Sequence, residues 1–170
     1  LSKNVHVDAK ELANLLLDWA DEMNVPVTPM KLQKLLYYCH SDFLLLTGGE
    51  LLSEEFEAWQ YGPVLGEVFQ EFKIFSSHPI TKRASRFDPI SATRVQSKAA
   101  DLGPNRDVVK AIFHSYAHLS ASALSRMSHI ESGPWQEALN LFERGRNMGK
   151  RIGNDLIRSH HRLERISIAH

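Results

Sequence analysis

The stretch TPMKLQKLLYYCHSDFLLLTGG, from Thr28 to Gly49, decides how this chain folds. Thr28 supplies a hydroxyl to cap a helix and Pro29 suits its first position, where the missing N–H costs nothing. Gly48-Gly49 offers the left-handed stop that ends such a helix. On a 100° wheel Leu32, Leu35, Leu36, Cys39, Phe43 and Leu46 share one face, while Met30, Tyr37, Tyr38, Leu44 and Leu45 cluster on another. A helix apolar on two sides either runs through the middle of a domain or offers one side, here that of the tyrosines, to another molecule; the first is favoured, so this one is predicted to be the central element.

Other helices are read outward from it. Asp8 caps a first helix whose Leu12, Leu15, Leu16, Trp19, Ala20 and Met23 recur at helical spacing. Pro63 is read as opening a helix that carries Val64, Leu65, Val68, Phe69, Phe72 and Phe75. Further helices are expected at 107–116, at 121–128 after a Ser120 cap, at 134–144 and at 154–166. The alternation from Glu55 to Tyr61 suits one short strand, with a partner sought in Phe87 to Val95. The expected fold class is mainly α: a compact single-domain helical bundle, residues 1–170, with one short β-ribbon. Residues 76–106, poor in periodicity and rich in Pro and basic residues, are read as a variable, exposed segment.

Composition narrows the function. At 170 residues one domain buries roughly 70% of the unfolded chain's surface, enough for a core. Apolar runs are far shorter than the ~20 residues that cross a bilayer, and the first residues lack the features of an export signal, so a cytoplasmic location without membrane association is expected. A single cysteine, Cys39, leaves no disulfide framework. Charge is polarised: 12 acidic against 5 basic residues up to Phe75, then 8 against 15. Two such halves folded on each other cancel; alternatively the basic half meets an acidic partner.

Candidate chemistry is thin. His114 and His118 are spaced to share a metal, yet no glutamate stands between them as general base. Cys39 and His40 are neighbours on a helix and point about 100° apart, unsuited to act as nucleophile and base. No Gly-x-Ser-x-Gly elbow, phosphate loop or dinucleotide fingerprint is present. His129 and Glu131 are the remaining couple that a hydrolase could use, but His129 reads better as a lock on a turn, hydrogen-bonded to a backbone carbonyl. Trp59 and Trp135, each beside a turn, read as core plugs. The basic residues form no recognisable DNA- or RNA-reading module, so no specific nucleic-acid partner is expected. Neither catalysis nor any cofactor or metal is expected.

Three separated motifs carry a resemblance. Met30-Lys31-Leu32-Gln33-Lys34-Leu35-Leu36-Tyr37-Tyr38, Glu57-Ala58-Trp59-Gln60-Tyr61-Gly62-Pro63-Val64, and Leu119-Ser120-Ala121 through Leu124-Ser125, Ser128-His129 and Pro134-Trp135 resemble, in order and spacing, the Panacea domain, the SocA-like antitoxin or GepA-like phage-associated family of bacteria. Cys39-His40 and the stretch 76–106 depart from its pattern, and no added DNA-binding domain is expected. The resemblance implies an antitoxin of a bacterial or phage-borne two-gene system, with a cognate protein toxin as partner. It also implies a second mode, that of a proteolytic adaptor delivering the toxin to a Clp protease. The motif positions Lys31, Gln33, Lys34, Tyr37, Tyr38, Trp59, Tyr61, Gly62, Pro63, His129, Pro134 and Trp135 are the expected structural or binding residues. Lys82, Arg83, Arg86 and Arg94, in the variable segment, are the expected toxin contacts.

Overall fold

The computed structural model describes residues 4–163. Seven α-helices lie among them: α1 (Ala9–Glu22), α2 (Pro29–Thr47), α3 (Gly66–Phe72), α4 (Arg106–Tyr116), α5 (Ala121–Ser128), α6 (Pro134–Glu143) and α7 (Asn154–His160). The expected ends of α2 are present. Thr28 Oγ1 accepts from the Lys31 N–H, and Gly48 adopts φ 75° as the stop.

Helix α2 is the axle. Every residue from Lys31 to Leu44 is buried, and α1, α3, α4, α5, α7 and a short strand, β2 (Gly62–Val64), pack around it. Its two apolar faces are both covered: Leu32, Leu36 and Phe43 lie in the core, as do Tyr37 and Tyr38. Tyr38 stacks on Tyr116 of α4 with centroids 4.5 Å apart, and Tyr37 meets Phe56 edge-on at 5.4 Å. The tyrosine side is therefore interior, and burial raises the phenols of Tyr37 and Tyr116 far above their ordinary range.

The strands differ from expectation. Strand β1 (Phe56–Trp59) does not pair with the 87–95 region. It forms a tight antiparallel hairpin with β2 (Gly62–Val64), and its other edge takes β5 (Arg151–Ile152), giving the order β2-β1-β5. Strands β3 (Ser85–Asp88) and β4 (Thr93–Gln96) make a separate hairpin. There are thus two small antiparallel sheets on a mainly helical frame, where one ribbon had been expected. Pro63 does not open a helix. It lies in β2, at the sheet edge, where an absent N–H breaks no ladder bond, and α3 starts after Leu65. Helix α7 ends at His160, with His161 extended, so it is shorter than expected; the last part of that expectation, 164–166, lies outside the described residues.

Residues 76–106 are mostly exposed but anchored. Ile80, Ala84, Ala100 and Leu102 are buried, and the β3–β4 hairpin is clamped at its base by Asn14 of α1. The Asn14 amide donates to the Ala84 and Ser97 carbonyls at 3.1 and 2.8 Å and accepts from the Ala84 N–H at 2.7 Å. One buried amide so satisfies three backbone groups of the segment.

Candidate functional site

The three sequence motifs converge on one turn, that between β1 and β2. Gly62 takes φ +107°, a conformation that side-chain-bearing residues rarely adopt, and a Cβ there would stand 2.6 Å from Ser128 Oγ and 2.8 Å from Lys34 Cε. The bend leaves carbonyls from Trp59 to Leu65 pointing at their surroundings. Each named one is taken by a motif side chain. Trp135 Nε1 donates to the Trp59 carbonyl at 2.7 Å, His129 Nε2 lies 3.0 Å from the Gln60 carbonyl, and Ser125 Oγ donates to the Tyr61 carbonyl at 2.8 Å. Lys34 Nζ donates to the Pro63 carbonyl at 2.8 Å. The Gln33 amide closes the row, donating to the Leu65 carbonyl at 3.1 Å and accepting its N–H at 2.9 Å.

Buried backbone groups demand such partners, so the motifs act as a lock for this turn. His129 belongs to it: its second nitrogen faces the Ser125 carbonyl, and its ring lies 4.0 Å from that of Trp135. It makes no bond to Glu131, which is exposed, and so is placed as a support of the turn rather than as half of a couple. Gly133-Pro134 starts α6 and sets Trp135 against β1. Trp135 and Trp59 are both partly exposed; Trp135 packs against the core, while the Trp59 indole N–H donates to Glu57 Oε2 at 2.8 Å and its ring meets Phe69 at 4.9 Å.

Lys34 is the unusual member. It is 1% exposed, and burial holds its pKa down to about 7. Lys31, also buried, is lowered for the same reason. Beside Lys34 opens a cavity of about 390 Å³ whose walls include Met30, Gln33, Trp59, Val64, Val68 and Phe69, with exposed Tyr61 at its edge. Eight of the motif residues, Gln33, Lys34, Trp59, Tyr61, Gly62, Pro63, His129 and Trp135, therefore meet around one turn. Tyr37 and Tyr38 lie deeper, on the other side of α2.

That deeper side holds a polar network which periodicity did not reveal. Asp42, fully buried, accepts from Tyr116 Oη at 2.6 Å, and its other oxygen lies 2.6 Å from His161 Nε2. His40, equally buried, bonds Asn154 Oδ1 through Nε2 at 2.8 Å and accepts the Leu52 N–H at 3.2 Å. The available signal was Asp42 itself, the one carboxylate in α2. Cys39 is buried among them, and its thiol is raised by that burial.

Of the four basic residues expected to meet a partner, Arg83 pairs with Asp18 at 2.8 Å and Asp21 at 2.5 Å, and Arg94 with Glu71 at 2.9 Å. Lys82 and Arg86 are exposed. His114 and His118 are exposed on and after α4, and among the described residues no three His, Cys, Asp or Glu side chains gather as a metal site. No helix among the described residues is long and apolar enough to cross a membrane.

Comparison with known proteins shows which family the chain falls in. The family model described as "Antitoxin SocA-like, Panacea domain" matches residues 32–136, a span that runs from α2 through the locked turn to Trp135. The protein named Antitoxin SocA from Caulobacter vibrioides (strain NA1000 / CB15N) is 33% identical over 168 residues, covering 96% of this chain and 87% of that protein. No solved structure matches. The chain belongs to the SocA-like antitoxin family of Panacea-domain proteins.

Proposed function

We propose that this protein is a non-catalytic antitoxin that neutralises a cognate protein toxin by direct binding, and that it grips the toxin with the β3–β4 hairpin. Membership of the family supports the antitoxin role. The observation that carries the contact surface is the hairpin's apolar exposure: Phe87 is 60%, Val95 43% and Ile90 95% exposed. Large apolar side chains held out in water are a cost unless another surface covers them. Exposed Arg86 lies across from Val95 in the hairpin register, so the hairpin offers basic and apolar groups together, and exposed Lys82 precedes it in the sequence.

The base of the hairpin is rigid. Besides the Asn14 clamp, Glu71 accepts the Ser85 N–H at 2.7 Å, and Arg94 bonds both Glu71 and the Ser85 carbonyl. A preformed binding element loses little conformational entropy on docking, which favours affinity. The mechanism is stoichiometric occlusion of the toxin.

Co-expression with the neighbouring reading frame tests this. The frame is expected to be toxic alone, and to be rescued by and co-purify with this chain. The double variant Phe87→Asp/Ile90→Asp should keep its fold, as read by circular dichroism, and lose both rescue and co-purification. A toxin half-life that is unchanged in cells lacking Clp protease accompanies occlusion; loss of rescue in those cells would instead indicate delivery for degradation. Rescue that survives the double variant would remove the hairpin from the contact surface.

A further inference from the structure

We propose that the cavity between α2, the β1–β2 turn and α3 is a binding site for a small apolar carboxylate, with the acid group on Lys34 and the hydrocarbon body against Met30, Trp59, Val64, Val68 and Phe69. This site is separate from the hairpin and does not depend on the antitoxin reading.

The first ground is an incompletely satisfied buried cation. Lys34 is 1% exposed and lines the cavity. Its ammonium has three N–H donors but a single acceptor among the described residues, the Pro63 carbonyl at 2.8 Å. No carboxylate of the described residues pairs with it. A buried charge in that state is costly, and burial lowers its pKa to about 7. An incoming anion would supply the missing acceptors and the missing charge together.

The second ground is the chemistry of the walls. Gln33 already uses both ends of its amide on Leu65, and the Trp59 indole N–H is held by Glu57. Gln60, Tyr61 and Ser76 add polar side chains to the lining, and Lys34 is the one charged group in it, set against the apolar Met30, Val64, Val68, Phe69 and Phe72. The matching ligand has one anionic end and an apolar remainder. A cavity of about 390 Å³ falls in the size range that encloses a small molecule.

The same walls argue against a polypeptide segment as occupant. Such a segment would bring its own N–H and C=O groups, which need partners when buried. A fatty or aryl acid brings none beyond its carboxylate.

The test uses 1-naphthylacetate and its neutral counterpart 1-naphthylethanol, each titrated into the full chain by calorimetry and by two-dimensional amide NMR. The acid is expected to bind the wild type at least tenfold more tightly than the alcohol, with shifts confined to α2, the β1–β2 turn and α3. Lys34→Met should abolish the preference for the acid, and Met30→Trp, which adds bulk at a partly exposed wall, should weaken both ligands. Equal binding of acid and alcohol by the wild type, or binding of neither, overturns the proposal without any variant. So does an acid preference that survives Lys34→Met. Loss of capture of the neighbouring frame's product by Lys34→Met, with no binding of the acid to the wild type, would assign the pocket to a protein side chain and also overturn it.

Discussion

Gly62 and Lys34 stand against each other, and each explains why the other must be what it is. The left-handed backbone at Gly62 and the 2.6 and 2.8 Å approaches of Ser128 and Lys34 leave no room for a side chain. Gly62→Val should therefore cost at least about 2 kcal/mol in urea unfolding, from backbone strain and displacement of two buried groups. A variant as stable as the wild type would show that the turn relaxes freely. For Lys34 the sign follows from its folded pKa of about 7 against an ordinary 10.5. Between these values the unfolded chain holds a proton that the folded chain has released, so this residue makes stability rise as pH climbs from about 7 toward 10.5; below 7 its burial penalty is present in full. Lys34→Met should remove that rise, gaining most relative to wild type at pH 6 to 7 and least near pH 10. Parallel stability profiles of the two proteins would contradict it.

At the scale of elements, His40 joins three parts: it sits on α2, accepts from Leu52 in the following loop and bonds Asn154 at the start of α7. Burial holds its pKa below the ordinary 6.5. The folded form is neutral while the unfolded form gains a proton, so its contribution to stability is whole above about 6.5 and declines as pH falls below that value. Urea unfolding from pH 7.5 down to 5.5 should show this decline, above the range where carboxylates titrate, and His40→Leu should show a smaller one. Legibility in the sequence also divides by element. Helix α2 was readable because Thr28-Pro29 and Gly48 act within a turn of the residues they cap. Pro63 was misread because proline opens helices and also tolerates sheet edges, and choosing needs the neighbour strand. Strand β1 lacked its true second partner because Arg151–Ile152 is remote in sequence and two residues long.

For the whole molecule, part of the charge polarity visible in the sequence is used internally. Arg83 meets Asp18 and Asp21, Arg94 meets Glu71, Lys98 meets Glu11, Lys110 meets Glu22 and Arg158 meets Glu50, each pair joining the basic half to the acidic half. Surface pairs of this kind contribute little singly. Arg83, less exposed than the rest and engaging two carboxylates, should be the exception: Arg83→Ala is expected to cost about 1 kcal/mol at low salt, shrinking in 1 M salt as screening removes the attraction. That exceeds the near-neutral change its place in a basic linker suggests. Arg86→Ala, on an exposed position, should be neutral within about 0.5 kcal/mol. Equal, salt-independent effects would count against the clamp.

By itself the sequence determined what depends on neighbours along the chain: the capped helices, the central place of α2 and the three motifs that mark the family. Which motif residue satisfies which carbonyl was decided by tertiary structure alone, because a hydrogen bond from Trp135 to Trp59 or from Lys34 to Pro63 joins positions whose distance in sequence carries no periodic trace. The same holds for Asp42 between Tyr116 and His161, and for the cavity beside Lys34. Periodicity tells which side of a helix is dry; only packing tells what that side touches.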